Sequence, residues 1–300
     1  MGAWSDSREV TKRCFSVVKA NPYMMAFPVI GAVAAVVAML AIVGVGLAVM
    51  GLDTVTTEVE KAAQGGDVAT LTYVEALIIL ALAGYAAVLV TQVCMGALVS
   101  AADMELRGED SSIGAGFSAA FSRFGPLAGW AAIQTLVGWL LSAIRGNGSG
   151  NNAILAIVRM MVAAIAAVAW ALITFFVLPL IMLRGKGPIS AIKESTRLLK
   201  QTWGSRLAGG VRIGGLIFLL AVLPGIIVLI AGGLVAFLTE NLGVGIPVMV
   251  IGAVVIICAQ ILVSTLRAVF SVALLHFAED GSVQGPFTAA ELQSAVRVKG

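Results

Sequence analysis

Polar and apolar positions alternate along this chain in long blocks. Six apolar runs, at about 23–52, 73–102, 126–144, 153–183, 213–238 and 244–270, are separated by short polar stretches. Most of them exceed the ~20 residues that an α-helix needs to cross a hydrocarbon core ~30 Å thick. The pattern therefore predicts an all-α polytopic bundle of six transmembrane helices. The third run is the shortest, and Gln134, Thr135 and Ser142 interrupt it. A re-entrant segment would fit its length, but losing one crossing would move the basic connection after the fourth run to the other side of the membrane.

A second pattern precedes alternate runs. Ile189, Ile192, Thr196, Leu199 and Trp203 recur at steps of three and four, with Lys193, Arg197 and Lys200 on the other side. That spacing draws one apolar and one basic stripe along a helix, and Gly187-Pro188 suits its first turn. Ile113, Phe117, Phe121 and Phe124 repeat the stripe, with Asp110 or Ser111 as the expected cap. Val10, Cys14, Val17 and Val18 repeat it again, opened by Asp6 and Glu9 at capping-box spacing. Arg107-Gly108 returns as Arg184-Gly185, and Phe124-Gly125 as Trp203-Gly204, at nearly the same interval. We expect three repeated units in parallel orientation, each an amphipathic interfacial helix followed by a membrane hairpin. They make one membrane domain, 1–276, and leave a tail at 277–300.

Composition agrees: 60% of the 300 residues are hydrophobic and 12% are charged, against about 25% charged in soluble domains. The polar opening, 1–21, lacks a plausible cleavage site, so the first run reads as a retained helix and not a signal peptide. Lys and Arg decide the orientation. They crowd the N-terminal segment, the second and fourth connections and the tail; Lys61 and Arg145 are the exceptions. By the positive-inside rule both termini and the three amphipathic helices are cytoplasmic, and the connections 53–72, 145–152 and 239–243 are outside. The expected location is the cell membrane. The net charge of +3 is a leaflet preference, and no basic patch interleaved with aromatics invites nucleic acid.

Candidate chemistry is sparse. His276, the one histidine, has only Glu279-Asp280 nearby, so it reads as an interfacial or packed side chain. Cys14, Cys94 and Cys258 read as lone buried thiols. Glu75, Arg159 and Arg267 are ionisable groups within apolar runs, where a charge is costly, and Glu75 and Arg159 form a candidate ion pair near the outer boundary. Gln92, Gln134 and Gln260 fall at similar depth and form a candidate intramembrane polar cluster, either a solute path or interhelical glue. Pro28, Pro179 and Pro224 each remove a backbone hydrogen bond. Lys193, Arg197, Lys200 and Arg206 are candidate contacts to lipid headgroups. No catalytic set, cofactor site or metal site is predicted.

Several short motifs recur in a known group: Trp4 with Phe15-Ser-Val-Val-Lys19 and Phe27-Pro28, Arg107-Gly108-Glu109, Pro179, Gly187-Pro188-Ile189-Ser190-Ala191-Ile192, and Trp203-Gly204. Together they resemble an uncharacterised family of prokaryotic six-helix integral membrane proteins. A more distant similarity is to the membrane domain attached to some glycerophosphodiester phosphodiesterases. The resemblance implies a fold and no activity, because the phosphodiesterase catalytic domain has no counterpart here. The expected function is non-enzymatic: an accessory or membrane-organising component that binds anionic headgroups, a partner complex or copies of itself. The alternative is a transporter or channel for a small or lipid-like solute.

Overall fold

The computed structural model describes residues 3–66, 69–146, 153–203 and 242–289, with positions 228, 230, 231, 234 and 292. Its elements are α1 (Ala3–Ala20), a 3-10 turn (Pro22–Met25), α2 (Ala26–Met50), α3 (Leu52–Ala63), α4 (Thr70–Leu106), α5 (Ile113–Ser122) and α6 (Phe124–Arg145). They continue with α7 (Ala153–Ile173), α8 (Val177–Arg184), α9 (Pro188–Trp203) and α10 (Leu242–Asp280). No strand occurs among the described residues. Five stretches are long and apolar enough to cross a membrane: Pro22–Met50, Thr70–Leu106, Phe124–Arg145, Ile157–Arg184 and Ile246–Asp280. The run at 213–238, with Pro224, lies outside the described residues apart from four positions.

Local chemistry sets the boundaries. Gly51, at φ +82°, ends α2 and turns the chain into α3, a conformation open to glycine for want of a Cβ. The connection read from sequence as a loop at 53–72 thus holds a helix of twelve residues. The α5 cap is Ser112, whose hydroxyl accepts from the Ala115 amide at 3.1 Å, in place of the expected Asp110 or Ser111. Pro28 sits in the first turn of α2, where its missing N–H costs little. Pro179 acts differently. It cannot bond the Phe175 carbonyl, and the helix breaks at 174–176 between α7 and α8.

The bundle is packed at one end. A Cβ on Gly31 would stand 3.0 Å from the Cys94 Cβ, and one on Gly46 would stand 2.6 Å from Ile79. The antiparallel register of α2 on α4 follows from these two crossings. A slab of ~20 residues laid along it runs from about residue 30 to 50 in α2 and from 94 to 75 in α4. The same length counted from Ile246 in α10 reaches Leu266, and counted from Ala153 in α7 it reaches Ile173. These levels agree, since Arg267 Nη2 lies 3.4 Å from the Ala171 carbonyl. Within the slab α2 is largely exposed, with Val37, Leu40, Val45 and Val49 on its surface. Beyond it α4 and α10 continue for about 18–20 Å. There they meet α1, α5, α8 and α9 around one buried cluster that includes Val18, Phe27, Leu98, Leu127, Leu180 and Leu274.

The amphipathic helices wrap this end. Gly116 of α5 lies so close to α4 that an added Cβ would be 2.8 Å from the Ala97 carbonyl and 2.9 Å from the Phe27 ring. Phe121 remains exposed on its other side, as does Phe124 at the start of α6. The segment after α10 folds back as well: Phe287 and Leu292 are buried and Gly285 approaches Leu106. This part of the expected tail therefore packs on the membrane domain.

Candidate functional site

Beyond the slab, the ends of α4 and α10 bring together charged groups far apart in sequence. His276 Nε2 lies 2.6 Å from Asp103 Oδ1, both side chains being almost wholly buried. Arg107, one turn further along α4, places Nη2 3.0 Å from Asp103 Oδ2. Arg184, at the end of α8, donates through Nε and Nη2 to Glu279 Oε2 at 2.8 and 2.6 Å. The next carboxylate on α4, Glu105, accepts from Asn21 at 2.7 Å, Tyr23 at 2.9 Å and Ser111 at 2.6 Å. These contacts tie the connection between α1 and α2, the connection between α4 and α5, and the ends of α4, α8 and α10 into one polar layer. Asp103 and His276 each stand nine residues past the slab boundary set by Cys94 and Arg267, about 13 Å beyond it. Their burial is therefore within protein and not hydrocarbon.

Sequence reading singled out one member of this layer, His276, as an interfacial or packed side chain, but not Asp103, Glu105, or the pairing of Arg184 with Glu279. The partners are separated by 173 residues in one case and 95 in another, beyond any local periodicity. The layer offers acids, an imidazole, cations and the hydroxyl groups of Tyr23 and Ser111. Among the described residues no group of three His, Cys, Asp or Glu is placed to hold a metal ion. Cys14 and Cys94 are buried, Cys258 is exposed, and all three thiols are free. Burial pushes the Cys14 thiol up to about 12, which keeps it protonated and inert.

The second feature is α9. Ala191, Ser195 and Leu198 face inward, while Lys193, Arg197 and Lys200 are exposed. Ile189, expected on the apolar stripe, is exposed, so the buried face is rotated from the predicted one. Ser195 holds the helix down. Its hydroxyl donates to the Ile173 carbonyl at 2.5 Å and accepts from the Phe176 amide at 3.2 Å. Ile173 ends α7 and Phe176 lies in the break before α8, so the break caused by Pro179 becomes the socket for α9. Glu194 pairs with Arg197 and lies 3.6 Å from Lys186; the Arg197 hydrogen bond holds its carboxyl below the usual glutamate range. Arg206 lies outside the described residues.

The remaining candidates do not converge. Gln134 accepts from Trp170 Nε1 at 3.0 Å, in an aromatic layer where Trp130 stacks on Trp170 at 6.0 Å. Gln92 is half-buried and Gln260 exposed, and no hydrogen bond links any two of these glutamines among the described residues. Arg159 is exposed, its Nη1 3.2 Å from where a Gly146 Cβ would be, whereas Glu75 lies on the seam between α4 and α2. No ion pair joins Glu75 and Arg159 among the described residues. Arg267 rests over the Phe175 ring, 5.5 Å from its centroid, an arrangement worth about 0.5–1 kcal/mol at exposed sites.

Several apolar helices of crossing length, exposed along their middles and packed at one end, define a multi-pass membrane protein. Residues 71–285 match a family of unknown function, DUF6159, and the chain belongs to that family. No curated protein and no solved structure matches the chain. The comparisons show no link to the membrane domain of the glycerophosphodiester phosphodiesterases.

Proposed function

We propose that this protein is a non-enzymatic organiser of the cell membrane. It crosses six times as three helix-plus-hairpin units, keeps both termini in the cytoplasm and holds α9 against anionic headgroups, where the helix also docks a partner complex or another copy. The observation that supports this reading is the exposed triad Lys193, Arg197 and Lys200 on a helix whose opposite face is anchored by Ser195. Each basic residue near an anionic surface contributes about 1 kcal/mol; Arg197 contributes less because Glu194 shares it. A solute path through Gln92, Gln134 and Gln260 draws no support from their placement, with Gln134 engaged by Trp170 and Gln260 exposed.

The test is lipid retention. Wild type and the triple variant Lys193→Gln, Arg197→Gln, Lys200→Gln are reconstituted with equal phosphatidylglycerol and phosphatidylcholine, and lipid carried through gentle detergent exchange is counted by native mass spectrometry. Wild type should enrich phosphatidylglycerol, the enrichment should fall with salt, and the variant should lose most of it. Equal enrichment in a folded triple variant would remove the basis of the proposal.

A further inference from the structure

At the end of the bundle away from α1, the seam between α2 and α4 opens into a groove of about 450 Å³. Ile42, Val45 and Val49 line it from α2, and Ile78, Leu82 and Glu75 from α4. Its walls are apolar and open toward lipid, since Val45, Val49, Ile78 and Leu82 are all more than half exposed. Its floor is the contact of α2 and α4 at Gly46 and Ile79. Among the described residues of the lining, Glu75 is the only ionisable side chain. By the slab register it stands at the hydrocarbon boundary, and the stretch from Val49 to Ile42 reaches about 10 Å inward.

Two features specify what would fill the groove. A carboxylate at that boundary needs a counter-ion or water, and among the described residues no Lys or Arg pairs with Glu75. The neighbouring α3 is itself acidic, carrying Asp53, Glu58 and Glu60 against Lys61, so the local field favours a cation. The rest of the lining matches a hydrocarbon chain. We propose that the groove holds one acyl chain of a phospholipid with a primary-amine headgroup, whose ammonium donates to Glu75. A primary ammonium has three donors; a quaternary one has none. The site therefore discriminates phosphatidylethanolamine from phosphatidylcholine. This inference concerns the opposite end of the bundle from α9 and stands independently of the role proposed for that helix.

The experiment uses the full-length protein in nanodiscs containing equal phosphatidylethanolamine, phosphatidylcholine and phosphatidylglycerol, with lipid retained after detergent exchange counted by native mass spectrometry. Wild type should keep one phosphatidylethanolamine per chain. Glu75→Gln should lower its retention over phosphatidylcholine about tenfold, the equivalent of about 1.4 kcal/mol. Ala41 also lines the groove; Ala41→Trp, which fills it and leaves Glu75 in place, should remove the bound lipid whatever its headgroup. Circular dichroism and size-exclusion profiles establish that each variant is folded; if Glu75→Gln is not, Ala41→Trp still decides. The Lys193, Arg197, Lys200 triple variant should keep its phosphatidylethanolamine, so failure at one end is distinguishable from failure at the other. Equal retention by wild type and folded Glu75→Gln would overturn the assignment. So would a disulfide between copies through Val45→Cys that displaces the lipid, because the groove would then be covered by a second chain.

Discussion

Replacing Ser195 by Ala removes a single oxygen, yet it acts at the joint that holds the basic helix. Ser195 is wholly buried, and its hydroxyl serves two backbone groups at once, the Ile173 carbonyl at 2.5 Å and the Phe176 amide at 3.2 Å. Ile173 and Phe176 lie where the helical ladder is interrupted between α7 and α8. Withdrawing one partner from a buried polar group costs about 1–3 kcal/mol, and alanine leaves too little space for water to substitute. The second bond is longer and contributes less, so the total is about 2–4 kcal/mol, with little cavity penalty since one oxygen is lost. The assay is reversible unfolding in mixed micelles, paired with amide exchange at Phe176. We expect Ser195→Ala to lower stability by that amount, speed exchange at Phe176 and expose α9 to proteolysis. A loss below about 0.5 kcal/mol, the scatter of ordinary surface substitutions, with unchanged exchange would refute the clamp.

Two further outcomes follow from the same geometry. Asp103→Ala should destabilise the bundle by about 1–3 kcal/mol by leaving the buried His276 without its hydrogen-bond partner, and Asp103→Asn should cost less because it keeps an acceptor for His276; equal losses in micellar unfolding would show that the pairing contributes nothing specific. Maleimide should label Gln64→Cys, on the exposed end of the α3 turn, in intact cells, and Lys193→Cys only after permeabilisation; labelling of Lys193→Cys from outside would reverse the proposed orientation.

What the sequence discloses here is depth, and what it withholds is rotation. Apolar runs mark where a helix enters and leaves hydrocarbon, so α2, α4, α6 and the α7–α8 pair are legible within about four residues, whereas α10 continues ten residues past the apolar run at 244–270. Gln92, Gln134 and Gln260 share a depth by that reading, but in helices apolar all round nothing in the pattern says which way each amide faces. Trp170 answers for Gln134, and it lies 36 residues away. The α3 helix escaped because Thr54, Thr56 and Thr57 give its turns a loop-like composition, although Val55 and Val59 keep helical spacing. Asp103 escaped for a different reason. It follows the end of an apolar run, where acids are ordinary, and only the length of α10, which carries His276 well past the boundary, buries it.

That length has a structural rationale. Inside hydrocarbon, helices gain little from hydrophobic association, because lipid tails are as apolar as leucine, and close packing needs small residues such as Gly31 and Gly46. Beyond the slab, water restores the hydrophobic effect, and burying Leu, Ile or Phe side chains there contributes about 1.5–3 kcal/mol each. Leu98, Leu127, Leu180, Ile181, Leu274 and Leu275 are all fully buried in that zone. The amphipathic helices α1, α5 and α9 are the elements that make the burial possible, each covering the core with one face. Their outer faces are thereby fixed on the surface of this end: Phe121 is exposed on α5 and Lys193, Arg197 and Lys200 on α9. The same packing that stabilises the bundle positions the surface assigned to lipid, which is why loosening a buried hydroxyl at Ser195 should be felt at Lys193.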